Sequence, residues 1–398
     1  MKQNLQRLLP SFVLLVYAMV ATIGAFLGGI WALFALSLSV LVAAAVWYLD
    51  GKLPWPNKEL MALVGAALAV LATHCLLSTQ PEISWRVWLK LLSIYVPLSL
   101  LFSPRVEALS FHRSFFPIML IAVVGSALGL SLELFHNGPL LRAVHGEPVW
   151  LVEYNRGVSY LVIMSFSLMA GLMLGPFPLA LKKRLWILIP FIIILFIPTG
   201  LTESRASKLA FVSGLITVGI AYIVPVCTRW ALTAGTVLCV SWPFLAQHYF
   251  LKYVDHLSQI PMSWQARMEI WDYLSYRIME KPLLGWGLGA AHKLDFYEPN
   301  GMKYVYTTYP VSHPHNVITQ LWVELGVPGL LLGLLFAALI LHKTMQLDKK
   351  IIPYALGAYT AALCLSLVGY DFWTDSMYAA FALTGFAFAM LQKNRVKI

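Results

Sequence analysis

Twelve apolar runs of helix length are strung along these 398 residues, and a soluble core of this size has no use for so many. A bilayer span takes about 20 mostly apolar residues. The runs cover roughly 8–27, 29–48, 60–78, 88–103, 116–134, 157–175, 184–200, 206–224, 229–247, 314–341, 351–370 and 375–392. Each is continuous rather than alternating, which argues against barrel strands, whose side chains face lipid and lumen in turn. With 12% charged residues and a mean hydropathy of +0.75, the chain is predicted to be an all-α polytopic membrane protein of about 12 transmembrane helices. Lys2 and Arg7 ahead of the first run imitate a secretion signal. Another run follows at once and no small-residue cleavage pattern intervenes, so the segment reads as the first helix.

The net charge of +10 marks topology rather than a nucleic-acid partner. If the N-terminus is cytoplasmic, more than half of the 28 Lys and Arg fall in cytoplasmic segments, among them Lys182, Lys183, Arg184, Lys349 and Lys350. The short outer segments hold few: Arg86, Lys90, Arg142, Arg156, Arg205 and Lys208. The positive-inside rule then puts both termini in the cytoplasm. Cys75, Cys227, Cys239 and Cys364 lie in or beside the runs without CxxC spacing, which supports neither a disulfide framework nor a zinc site.

Three regions follow: a membrane domain over 1–247 with spans one to nine, an outer loop over 248–312, and a membrane domain over 313–398 with spans ten to twelve. Within the loop, Trp264, Met268, Trp271, Leu274 and Ile278 recur at helical spacing opposite a polar face. That pattern predicts a short interfacial helix lying along the membrane surface. Pro282 and the run Gly285-Trp286-Gly287-Leu288-Gly289 end it.

Polar and titratable groups gather at the outer mouths of the apolar runs, where they are expensive to keep and usually mark function. Arg156 precedes one inward-running span, Arg205 and Lys208 share a face at the start of another, and His313 and His315 flank Pro314 before a third. Arg267 sits on the interfacial helix. A helix start offers free N–H groups and partial positive charge, and a guanidinium binds phosphate oxygens in a planar fork. Together these groups suit a phosphate or pyrophosphate; any one arginine alone is more often an anchor to lipid headgroups. The two histidines, separated by a proline, are ill placed to chelate one metal, and Asp371 and Asp375 form the one close carboxylate pair on this side. No metal or other cofactor is expected. His313, Asn316, Gln320 and Glu324 follow at i, i+3, i+7 and i+11, a polar stripe that faces the bundle. It serves either to support the histidines or to hydrogen-bond between helices.

At these residues the sequence resembles the O-antigen ligases, within a wider group that includes O-antigen polymerases and some oligosaccharyltransferases. The family's His-Asn, nine residues and GxxG are matched by His315-Asn316 and Gly326-Val327-Pro328-Gly329. Its Arg-x3-Leu element is matched by Arg205 and Leu209. Its loop arginine ahead of a Pro and Gly-rich turn is matched by Arg267, Pro282, Gly285 and Gly287. Leu330-Leu331 stand where the family often has a Thr pair.

The resemblance implies a periplasmic-side glycosyltransferase of the bacterial inner membrane. Its donor is an undecaprenyl-pyrophosphate-linked polysaccharide and its acceptor a sugar hydroxyl of lipid A–core. On this view His315 is the general base, with His313 the alternative or its orienting partner. Arg156, Arg205 and Arg267 hold the pyrophosphate with Lys208 assisting, and Asn316, Gln320, Glu324, Asp371 and Asp375 support the site. A polymerase or protein O-oligosaccharyltransferase would use the same donor class. A transporter of an anionic lipid-linked sugar would instead place its charges near the bilayer midplane.

Overall fold

A computed structural model describes residues 2–107, 114–145, 151–175, 179–253, 260–295, 304–306 and 313–396. Among these it is helical throughout, with no strand: α1 (Lys2–Phe26), α2 (Ile30–Asp50), α3 (Lys58–Leu77), α4 (Pro81–Leu100), α5 (Pro104–Glu107), α6 (Phe115–Phe135), α7 (Pro139–His145), α8 (Tyr154–Leu174), α9 (Leu181–Leu201), α10 (Arg205–Ile223), α11 (Pro225–Leu238), α12 (Trp242–Tyr253), α13 (Met262–Glu280), α14 (Val317–Thr344), α15 (Ile352–Val368) and α16 (Asp375–Val396). Eight described helices are long and apolar enough to cross a membrane, and α15 is a shorter apolar helix. The chain is a multi-pass, all-α membrane protein.

The most apolar sequence does not lie at the centre. That place belongs to α8, buried without interruption from Gly157 to Leu172 and packed by α1, α6, α9, α10, α15 and α16. Helices at the rim, such as α3 and α9, bury only 22% of their most apolar window. The rest of their side chains face outwards, as expected of a surface solvated by lipid tails rather than water.

Two of the twelve runs depart from single straight spans. The ninth is divided: α11 ends at Leu238, a 3-10 turn occupies Cys239–Ser241, and α12 resumes at Trp242. The expected domain boundary at 248 therefore falls inside α12. The tenth run begins at Val317 rather than at Pro314, because Asn316 is the N-cap and its side chain accepts from Thr319 N at 2.9 Å.

The same run then breaks at Gly326, whose φ 62°, ψ −151° is non-helical. A straight helix of 28 residues would be about 42 Å long, against a hydrocarbon core of about 30 Å. After the break, residues 327–344 supply about 27 Å of helix. The large exposed apolar side chains of α14, namely Val327, Leu331, Leu335, Phe336 and Ile340, all lie in this second part. Residues 317–325 are instead packed against protein.

A helix forms over the predicted loop segment as α13, and it ends before Pro282 as the sequence indicates. Its polar face is not solvated, however. Glu269, Asp272 and Ser275 are buried along with Trp271 and Leu274, and α13 packs on α12 and α14. The carboxylates explain this burial. Glu269 accepts from Val305 N at 2.7 Å and Tyr306 N at 2.9 Å, and Asp272 accepts from Tyr304 Oη at 2.6 Å. The remainder of the expected outer loop, at 254–259, 296–303 and 307–312, lies outside the described residues.

Candidate functional site

The short connection between α15 and α16, Gly369 to Thr374, collects most of the predicted site residues at one end of the bundle. Its Gly369 carbonyl lies 3.1 Å from His315 Nδ1. Its Tyr370 hydroxyl donates to the Asn155 carbonyl at 2.9 Å and lies 2.7 Å from Ser159 Oγ, on the helix that starts beside Arg156. Ser159 Oγ in turn lies 2.7 Å from Ser207 Oγ of α10, two residues after Arg205. Thr202 Oγ1 donates to Asn155 Oδ1 at 2.7 Å, and Ser204 caps α10 by accepting from Ser207 N. Helix starts distant in sequence are thus pinned side by side by hydroxyls.

This construction places Arg156 in the first turn of α8 and Arg205 at the first position of α10, both exposed. Neither has a carboxylate partner among the described residues. Lys208, one turn further on, is half-buried. Arg267 belongs to the same group, since burial first and then the nearby charge of Arg205 lower its pKa. Its Nη1 donates to the Ser263 carbonyl at 2.7 Å, while its Nε is buried with no acceptor among the described residues. Arginines without a carboxylate partner among the described residues suit an anion.

The two histidines feel the charge of Arg267. Their ring centroids are 3.7 Å apart. His315 has φ 53°, unusual for a side chain of its size. The bend is held from both flanks: Trp271 Nε1 donates to the Pro314 carbonyl at 2.9 Å, and Asn316 Nδ2 donates to the Leu367 carbonyl at 3.1 Å. A carbonyl can only accept, so the His315–Gly369 contact requires the proton on Nδ1. That leaves the Nε2 lone pair free to take a proton.

Neither imidazole titrates near neutral pH. Burial, then His313 and Arg267, push His315 down to about 3. Burial pushes His313 to about 4, with His292 and Arg267 acting in the same direction and Asp371 against it. Both rings are therefore unprotonated at neutral pH, the form a base requires.

Behind the histidines lies a buried polar chain. Gln320 Nε2 donates to Asp371 Oδ1 at 2.5 Å and to Glu324 Oε1 at 3.4 Å, and Gln320 Oε1 accepts from Phe372 N at 2.9 Å. Glu324 Oε2 accepts from Trp373 Nε1 and Gly289 N, each at 2.6 Å. Of the predicted stripe, Asn316, Gln320 and Glu324 are buried, and Gln320 links Glu324 to Asp371, whereas His313 lies ahead of α14 rather than on its face and is only half-buried. Asp375 stands apart from this chain; its Oδ1 accepts from Ser376 N at the start of α16.

The GxxG segment acquires a physical role here. The carbonyls that the break at Gly326 frees are taken up by the glycine-rich turn after α13: Trp286 N donates to Val323 O at 2.9 Å and Gly287 N to Glu324 O at 2.8 Å. His74 Nε2 lies 2.9 Å from Leu325 O. A Cβ at Gly285 would stand 2.5 Å from the Glu324 carbonyl, and one at Gly326 would run into the backbone of Leu283. Only glycine permits this meeting of two backbones.

Sequence reasoning missed His292, whose Nε2 lies 3.9 Å from Asp371 Oδ2, together with Trp271 and Tyr370 as struts of the site. Trp271 reads in the sequence only as part of the apolar face of the loop helix, Tyr370 stands next to Asp371 without a pattern of its own, and nothing around His292 marks it.

Residues 190–334 match the model of the family described as O-Antigen ligase. The curated proteins that the chain resembles include "Putative polysaccharide ligase RC0486" of Rickettsia conorii, 26% identical over 64% of this chain and 61% of that protein. A polysaccharide ligase so named in Rickettsia felis is 25% identical over 64% of this chain and 62% of its own length. One from Rickettsia bellii is 28% identical over 53% and 52%. The chain spans less than two thirds of the length of each.

Proposed function

We propose that this chain, a member of the O-antigen ligase family, is a glycosyltransferase that moves a polysaccharide from a carrier-lipid pyrophosphate to a sugar hydroxyl. The donor is undecaprenyl-pyrophosphate-linked O-antigen and the acceptor lipid A–core. The reaction takes place on the periplasmic side of the inner membrane, with both termini in the cytoplasm. Two contacts support this reading: Ser159 and Ser207 tie together the helix starts bearing Arg156 and Arg205, and the Gly369 carbonyl beside His315 Nδ1 leaves Nε2 to take a proton. The charge of Arg267 acts on both Arg205's neighbourhood and His315.

In the proposed reaction the acceptor hydroxyl attacks the anomeric carbon while His315 Nε2 takes its proton. The bond from that carbon to the pyrophosphate oxygen breaks, and its electron pair leaves with the pyrophosphate. The guanidinium groups stabilise the departing charge, a role that fixed cations fill without reorganising. Direct attack inverts the anomeric centre. His313 lies against the base, and Asp371 offsets positive charge on the imidazole pair. Neither the arginine group nor the histidines require a metal for these steps.

Reconstitution tests the reading. Purified protein supplied with undecaprenyl-pyrophosphate-linked polysaccharide and lipid A–core should yield the joined product, and His315→Ala should not. Chain extension with a second donor alone would make it a polymerase, and transfer to an acceptor polypeptide an oligosaccharyltransferase.

A further inference from the structure

The last turn of α13 and the turn that follows it present three large apolar side chains to the outside: Met279 is 60% exposed, Leu283 69% and Leu284 52%. They border Val327, where the lipid-facing surface of α14 begins, through the Val327 N to Leu283 O bond of 3.2 Å. They also stand beside the end of α3, where Leu76 and Leu77 are exposed and Thr79 N donates to Trp286 O at 3.1 Å. The apolar rim is therefore continuous across three elements that are far apart in sequence.

Irregular backbone at a bilayer surface needs its polar groups satisfied by protein, and many of this turn's groups are satisfied in that way. The carbonyls of Lys281, Pro282, Leu283, Trp286 and Leu288 accept from Gly285 N, Trp322 Nε1, Val327 N, Thr79 N and Ser84 Oγ. The amides of Gly285, Trp286, Gly287 and Gly289 are bonded as well. Just inside the rim, Lys281 Nζ lies 4.2 Å from the centre of the Trp286 ring, with Arg277 stacked at 4.0 Å. Tryptophan with lysine at the edge of an apolar surface is the signature of the headgroup layer.

We propose that the turn 279–286 is a membrane-docking wedge whose occupant is the phospholipid leaflet on the site's side, with Met279, Leu283 and Leu284 in the acyl layer and Lys281 at the phosphates. The wedge closes the end of α13 opposite Arg267, so the same helix is fixed to the bilayer at one end and to the candidate site at the other. The inference does not depend on the proposed reaction.

The test is electron paramagnetic resonance on full-length protein in phospholipid nanodiscs. Cys75, Cys227, Cys239 and Cys364 are replaced by Ser or Ala, and a nitroxide is placed at Leu283→Cys. Collisions with oxygen, which concentrates in lipid, should exceed those with a water-soluble nickel chelate severalfold. The order should reverse at Val305→Cys, an exposed site on the segment bound to α13. Greater access to the nickel chelate at 283 would overturn the proposal by placing the turn in water. Low access to both probes would overturn it by placing another protein surface, such as a second copy, over the turn.

Discussion

Gly326→Ala should unlock the glycine-rich turn from the broken helix. The backbone there, at φ 62°, ψ −151°, belongs to a region essentially reserved for glycine, and a side chain forced into it costs about 1–3 kcal/mol. The new Cβ would also press on the backbone of Leu283 and stand 2.7 Å from Leu284 N, so the turn must move away. That movement breaks the bonds Trp286 N to Val323 O, Gly287 N to Glu324 O and Val327 N to Leu283 O. At about 1 kcal/mol each, these add about 3 kcal/mol, for a total of about 4–6 kcal/mol.

Thermal unfolding in detergent should show a fall of several degrees in apparent Tm, and chymotrypsin should cut faster after Trp286. Gly125→Ala is the control: the added Cβ meets nothing within 4 Å, and the helix gains from the exchange. If Gly326→Ala unfolded at the parent temperature with the bond after Trp286 still protected, the packing of turn against break would not be what stabilises this region.

His315→Ala should lower transfer by about 10²–10⁴-fold while membrane insertion, followed by protease protection, is unchanged; near-normal transfer would remove His315 from the reaction. Arg267→Lys keeps the charge but loses the fork, so transfer at fixed donor should fall well below the parent rate, and parental kinetics would mean that only the charge matters. Asn316→Ala removes the helix cap and leaves Leu367 O without its donor, a loss of about 1–3 kcal/mol read as a lower Tm; Asn316→Asp, which retains the cap, should lose less. Because the neutral imidazole is the base and His313 and His315 are held at about 4 and 3, lowering the pH should not protonate them until those values are approached. The profile of kcat/KM should therefore lack an acid limb at 6.5. A limb there that persisted in Asp272→Asn, which removes the carboxyl that burial pushes up to about 6, would contradict this.

The helices were legible because lipid imposes a simple rule of length and apolarity, and the arginines and histidines stood out as departures from it. The breaks were harder to read. Gly326 looks like any glycine in an apolar run until the turn around Trp286 is seen to need the freed carbonyls of Val323 and Glu324. Asn316 as a cap could have been read locally, since a side-chain acceptor three residues ahead of an amide is a sequence-level pattern. The burial of the polar face of α13 could not, because its partners Tyr304, Val305 and Tyr306 lie more than thirty residues away. The same holds for the Gly369–Thr374 connection. Its ties to His315, Asn155 and Gln320 run through backbone carbonyls and hydroxyls that carry no periodicity.

The central claim is that the arginines of α8, α10 and α13 act together on one diphosphate beside His315. A cryo-EM structure of the protein in nanodiscs with undecaprenyl pyrophosphate bound tests it most directly. The account predicts phosphate oxygens against the guanidinium groups of Arg156, Arg205 and Arg267, with His315 Nε2 facing the terminal phosphate. A diphosphate bound elsewhere, with those three side chains turned to lipid or solvent, would contradict it.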